Sequence, residues 1–295
     1  MHLLLAAVHK GKPMRPIHAE LSRHLKLLSP PSTFDELVAL APQRPEGAAR
    51  LSIWLRQQPA TLERALDLYN QQAWVARGTA AAPQLHTLEQ ALVGGALRLH
   101  ACTVLACIES VYNCVPSPKS ELLTRLSVRT AQVAGALASL VGESPNDAFM
   151  AGMLHAVGER ALHATMPDAM SVLDQDVSAE RLQRPEVQRN FWGFDYADAG
   201  GALLAHWQFA PCHVQAVAMQ LEPLAAHQHQ MLGAVVSLAS WRVRVELSGQ
   251  QLRDMAVSYP QQVALLLGLD DDILLGELPL FTSPRKGEAT GLARA

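Results

Sequence analysis

Apolar residues recur at spacings of three and four along almost the whole of this 295-residue chain, and runs that alternate as a half-buried strand would are scarce. Alanine and leucine dominate, and aromatic residues make up only 5% of the chain, so the residue types that favour sheets are thin. The pattern predicts an all-α fold. Pro16 to Leu28 puts Ile17, Leu21, Leu25 and Leu28 on one helix face, and Ser32 and Thr33 offer an N-cap for Phe34 to Ala41. Further helices are expected over 48–57, 59–74, 87–112 and 121–141, the last with Leu122, Leu126, Val133, Leu137 and Leu140 inward. Ser144-Pro145 reads as an N-cap with proline at N1, opening a helix that Gly158 is expected to end. Shorter helices follow at 166–176 and 186–192, then others at 197–207, 211–220 and 230–247.

Asn113 to Lys119, carrying Pro116 and Pro118, is the best internal boundary. The expected organisation is an N-terminal helical lobe over 1–115, a second helical lobe over 116–248, satellite helices over 249–281 and a flexible tail over 282–295. A hydrophobic fraction of 49% suffices for a sizeable core and excludes a disordered chain. No solenoid repeat is evident.

A net charge of −3, with an isoelectric point near 6.5, argues against a broad nucleic-acid or acidic-lipid surface. Cys102, Cys107, Cys114 and Cys212 contain no C-x-x-C and are expected as reduced core residues. Met1 to Val8 is apolar but short, and Lys10 and Lys12 follow it, the reverse of a secretory signal. No uninterrupted apolar run approaches the roughly 20 residues of a membrane span. A cytoplasmic location without membrane association is expected.

The chain has 12 histidines, which raises the question of metal chemistry. A helix delivers metal ligands at i, i+3 or i+4, and no H-E-x-x-H occurs. His227 and His229 are two apart, and only His163, His206 and His213 have acidic residues in their neighbourhood. Hydrogen-bonded or solvated histidines are therefore expected. Gly94-Gly95 and Gly200-Gly201 lie inside helical patterns with no strand before them, which reads as close helix packing and not as a phosphate cradle. Cys212 and His213 are sequence neighbours whose side chains would diverge on a helix. Arg181, Arg184 and Arg189, and again Arg242 and Arg244, are expected on solvated helix faces.

Asp147-Ala-Phe-Met-Ala-Gly-Met-Leu-His155-Ala156-Val-Gly158 resembles the signature helix of the HD superfamily, which typically ends Leu-His-Asp-Ile-Gly. Other segments resemble the HDOD subfamily, in the same order. Gln58-Pro59-Ala-Thr-Leu62 through Leu68-Tyr-Asn70 is similar to its Asp-Pro-x-Leu…Asn-Ser helix, and His86-Thr-Leu88 through Gly95 to its Ser-Ile-x-x-Ala-x-x-x-Leu-Gly segment. Gly193-Phe-Asp195-Tyr196-Ala-Asp-Ala-Gly200 through Trp207 is similar to Gly-x-Asp-His-x-x-x-Gly…Leu-Leu-x-x-Trp, and Phe209-Ala-Pro211 to the Leu-Pro turn that follows. The resemblance runs from about Met14 to Leu247. It implies a multi-helical fold in which an N-terminal lobe packs on an HD-type lobe.

The resemblance also implies where metal ligands would stand, and there this sequence departs from the family. Active HD phosphohydrolases gather a histidine, the His-Asp pair and a later aspartate around one or two metals. Leu126 falls at the first histidine position, Ala156 replaces the aspartate after His155, and Tyr196 replaces the histidine of Asp-His. Gln220 lies in the stretch that replaces a histidine-rich run, and Ser240 falls where the last aspartate would stand. His155 alone survives. One imidazole cannot hold a divalent ion with useful affinity or generate a hydroxide nucleophile. These six positions form a vestigial pocket, with no catalytic residue, metal or cofactor expected, and His155 as a structural histidine or a contact to a small ligand. The resemblance implies a bacterial signalling or regulatory module that works by protein contacts, with its partner supplied in trans. A metal-dependent phosphodiesterase using Asp195, Asp198, His206 or His213, and a nucleotide receptor without turnover, are the alternatives. Asp195 and Asp198 are expected to cap the helix that begins near Ala197, and Trp207 to anchor the core or the seam between lobes.

Overall fold

The structure is a computed structural model, described here for residues 34–40, 45–73, 86–112, 118–225, 231–249 and 257–269. Several expectations lie outside those residues: the helix over Pro16 to Leu28, the boundary at 113–117, Cys114, His227 and His229, most of the 249–281 unit, and the tail. Among the described residues the regular structure is all helical. The elements are α1 (Phe34–Val38), α2 (Pro45–Arg56), α3 (Pro59–Ala73), α4 (Leu88–Tyr112) and α5 (Pro118–Val141). Then come α6 (Pro145–Leu154), α7 (Val157–Thr165), α8 (Pro167–Asp176), α9 (Arg184–Trp192), α10 (Tyr196–His206), α11 (Pro211–Met219), α12 (Met231–Leu247) and α13 (Gln261–Leu267).

Local chemistry sets several of these boundaries. Ser144 Oγ accepts a hydrogen bond from Asp147 N, and Pro145 occupies the first turn of α6. Asp195 and Asp198 close a reciprocal capping box at the start of α10. Asp195 Oδ1 accepts from Ala197 N at 2.8 Å and Asp198 N at 3.1 Å, and Asp195 N donates to Asp198 Oδ2 at 3.1 Å. A cap of this kind contributes about 1 kcal/mol. α4 is kinked at Gly95, whose φ of 152° lies where L side chains rarely go. α4 is long and apolar enough to cross a membrane by length and composition, yet Leu99, Cys102, Val104, Leu105, Cys107 and Ile108 along it are buried in the protein.

One apolar cluster runs from Phe34 through α4 and the α6–α7 junction to Val217, and a second joins α5 to α12 and α13. Trp207, just past α10, sits at the seam of the first. Its ring meets Phe34 edge-on at 5.3 Å and stacks on Tyr112 at 6.0 Å, while Phe34 also touches Phe209 at 5.8 Å. Each such aromatic pair adds about 0.5–1.5 kcal/mol beyond simple burial. Phe34 of α1 is thereby packed against the end of α10.

Three expectations are corrected. The helix opened by Pro145 ends at Leu154, not at Gly158. Ala156, at φ −100° and ψ 12°, leaves the helical region, and a separate helix starts at Val157. Gly158 serves packing instead: a Cβ there would stand 1.9 Å from Tyr196 O and 2.6 Å from Gly200 N. Leu140 is 58% exposed, because Val141, one residue on, takes the place against the second cluster. Cys102 and Cys107 are buried as expected, but Cys212 is exposed.

The Gly158 contact yields a test. Gly158→Ala must push α7 and α10 apart, and is expected to cost about 3 kcal/mol or more in urea unfolding, whereas the same change at Gly142, with open space around it, costs far less despite its positive φ.

Candidate functional site

The break between α6 and α7 carries His155 to the middle of the molecule, where its side chain is fully buried. Its Nδ1 lies 2.7 Å from Gly152 O. A carbonyl only accepts, so Nδ1 carries the proton and Nε2 a lone pair. Burial, then the positive charges of Arg244 and Arg160, push the imidazole down to about 3, so it is neutral at physiological pH. His155 Nε2 has no hydrogen-bond partner in the structure. The backbone of the same residue is held by Gln220, whose Nε2 donates to His155 O at 2.9 Å and Val217 O at 3.0 Å.

Arg244 of α12 joins these groups, against the expectation of a solvated face. It is 3% exposed. Its Nε donates to Ser240 Oγ at 3.2 Å, its Nη1 donates to Ala179 O, and its guanidinium lies 5.0 Å from the centre of the Tyr196 ring. Tyr196 is fully buried, and burial raises its phenol above the usual range while the Arg244 charge opposes that. Tyr196 and Ser240 are therefore brought together against the Arg244 guanidinium, whose charge also reaches His155, and Gln220 joins them through His155 O. Ala156 is fully buried at the N-cap of α7 and gives it no side-chain cap. Leu126 is fully buried in the cluster shared by α5 and α12.

These residues do not fit a divalent metal. His155 Nε2 is buried without a partner, but the side chains at the other positions are apolar, neutral or, at Tyr196, covered by a cation. A fixed positive charge repels a metal ion in a medium of low dielectric. Of the alternative ligands, Asp195 and Asp198 are used in the capping box, Asp195 also accepts from Arg189 at 2.7 Å, and His206 is exposed. Only His213 meets other ligand types, with its Nε2 3.2 Å from Asp147 Oδ1.

A second correction concerns Arg184, whose side chain is fully buried. Its Nε and Nη2 donate to the two oxygens of Glu159 at 3.1 and 2.9 Å, and Gln188 Nε2 donates to Glu159 Oε1 at 2.9 Å. Gln188 Oε1 in turn accepts from Tyr196 N at 2.9 Å, which fixes the start of α10 and the tyrosine ring. Arg184 Nη1 also reaches Asp174 Oδ1 at 2.8 Å, and Asp174 Oδ2 meets His163 at 3.0 Å and Lys119 at 2.8 Å. Burial alone would raise the Asp174 carboxyl, but the bonds to His163 and Lys119 and the charge of Arg184 hold it well below the usual carboxylate range. Nearby, Glu109 binds the buried Arg160 at 3.1 Å and the half-exposed Arg64 at 2.7 Å.

Residues 80–223, just under half of the chain, match the model of the HDOD domain. No curated protein matches. Solved structures with the same fold include a candidate phosphohydrolase from Shewanella amazonensis, 22% identical, with a TM-score of 0.66 over 88% of this chain and 93% of that one. An HDOD domain protein with unknown function from Geobacter sulfurreducens is 17% identical, with a TM-score of 0.62 over 94% and 91%. A candidate signal transduction protein from Marinobacter aquaeolei is 16% identical, with a TM-score of 0.52 over 93% of this chain but 60% of that one.

Two outcomes are expected. Burial also lowers His100 to about 4, so native His155 and His100 both refuse protons that the unfolded chain accepts below its ordinary value of 6.5. Stability is unaffected by them above pH 6.5 and falls below it, by about 1.4 kcal/mol per pH unit for each histidine until the folded value is reached. Urea unfolding from pH 7 to pH 4.5 checks this, with His155→Gln removing one proton's worth of slope. Glu159→Ala leaves the buried Arg184 with only Asp174 and the Val177 carbonyl and is expected to cost about 3 kcal/mol or more, and Glu159→Gln less.

Proposed function

We propose that this protein is a non-catalytic signalling or regulatory HDOD module, which acts in the cytoplasm through contacts with a protein partner supplied in trans. One observation carries the reading. Where the family resemblance assigns metal ligands, His155, Tyr196 and Ser240 surround the guanidinium of Arg244. A hydrolytic HD centre needs a divalent cation to lower the pKa of bound water and to hold the phosphate. Arg244 supplies charge without open coordination positions, so it can make no hydroxide nucleophile. The Marinobacter neighbour's description as a candidate signal transduction protein agrees with a regulatory role.

The test is turnover. Purified protein incubated with Mn²⁺, Fe²⁺ or Zn²⁺ is expected to leave a generic phosphodiester and cyclic dinucleotides intact. Affinity capture from the native host is expected to return a reproducible protein partner whose binding survives His155→Gln. Hydrolysis that disappears in His155→Gln would overturn the reading in favour of an enzyme. A nucleotide-induced rise in melting temperature that depends on His155 would replace it with a receptor.

A further inference from the structure

Asp147, Cys212 and His213 stand apart from the pocket around His155. Asp147 is the third residue of α6, and Cys212 and His213 are the second and third of α11. The sequence suggests that the cysteine and histidine diverge. Instead a carboxylate oxygen of Asp147, Sγ of Cys212 and a ring nitrogen of His213 all lie within 4.8 Å of one another. Asp147 and Cys212 are exposed, while the His213 side chain is 14% exposed and anchored by its 3.2 Å bond to Asp147 Oδ1. A hydrogen bond between histidine and aspartate accounts for two of these groups. It gives no reason for a thiol to meet them both.

The chemistry of the three donors is specific. Thiolate, imidazole and carboxylate together suit zinc, and a thiolate disfavours magnesium and calcium. Zinc bonds of about 2.0–2.3 Å set tetrahedral ligands roughly 3.3–3.8 Å apart. The three donor atoms lie within 4.8 Å of one another, so rotation of the Asp147 and Cys212 side chains has to bring them to that spacing.

The geometry points to a surface zinc site in which Asp147, Cys212 and His213 supply three ligands and water the fourth, tying the start of α6 to the start of α11. On binding, the Cys212 thiol gives its proton to solvent and its sulfur forms the metal bond, while the proton that His213 Nε2 shares with Asp147 Oδ1 moves to Nδ1, with no change of oxidation state. Nothing hydrolytic follows from the site, and it stands or falls independently of the role proposed for the His155 pocket.

Cobalt(II) reads this directly, because a thiolate ligand produces a charge-transfer absorption that imidazole and carboxylate ligands do not. The full chain, freed of metal with a chelator and checked for fold by circular dichroism, is titrated with Co²⁺ and then Zn²⁺. One equivalent of cobalt is expected to give the thiolate band and tetrahedral visible bands, and zinc to bleach both. Cys212→Ser is expected to abolish the thiolate band, and Asp147→Asn and His213→Gln each to weaken binding by roughly tenfold or more. Absence of a thiolate band, its persistence in Cys212→Ser, or affinities unchanged in the other two variants would overturn the assignment.

Discussion

The buried carboxylate of Glu159 organises the centre of this molecule. A charge with no access to water is tolerated only if its lone pairs are answered, and here two nitrogens of Arg184 and one of Gln188 answer them. Those donors come from α9, while Glu159 belongs to α7. Gln188 passes the constraint on by accepting from the backbone of Tyr196, and Arg184 passes it to Asp174, His163 and Lys119. Five helices are thus tied together by directional bonds in a core whose apolar packing alone would allow sliding. The close contact of Gly158 with the backbone of Tyr196 locks the same crossing sterically.

Most helices were legible because they obey one rule, an apolar face at a period of 3.6 with prolines, serines and aspartates as punctuation. Pro45, Pro59, Pro118, Pro145, Pro167 and Pro211 each stand at the first position of a helix. The break at His155-Ala156 was not legible in that way. Neither residue is a helix breaker, and the glycine two residues on looks like a stop signal while serving a contact with α10, about 40 positions away in sequence. Tertiary approach decided that boundary, and periodicity does not carry it.

The candidate site shows the same division. The HDOD resemblance named His155, Tyr196, Gln220 and Ser240, and the fold brings them together. Arg244 was missed because an arginine on a helix is ordinarily solvated. A signal was present in its neighbours, since Val243 and Val245 flank it in a helix with no charged residue from Met231 to Trp241. Arg184 was missed for the same reason, and its partner Glu159 lies 25 positions earlier, beyond any local pattern. Asp147 and His213 are separated by 66 positions and meet only through the packing of α6 against α11.

A metal ion in a pocket is an exchangeable part. It can be chelated, starved, oxidised or swapped for a competing ion, and a protein built around one inherits the cell's metal supply as an input. The guanidinium of Arg244, against the Tyr196 ring, is covalently part of the chain. Its supply is assured at translation, and neither iron limitation nor peroxide can remove it. The charge beside Tyr196 therefore comes with the chain itself and does not vary with the metal supply.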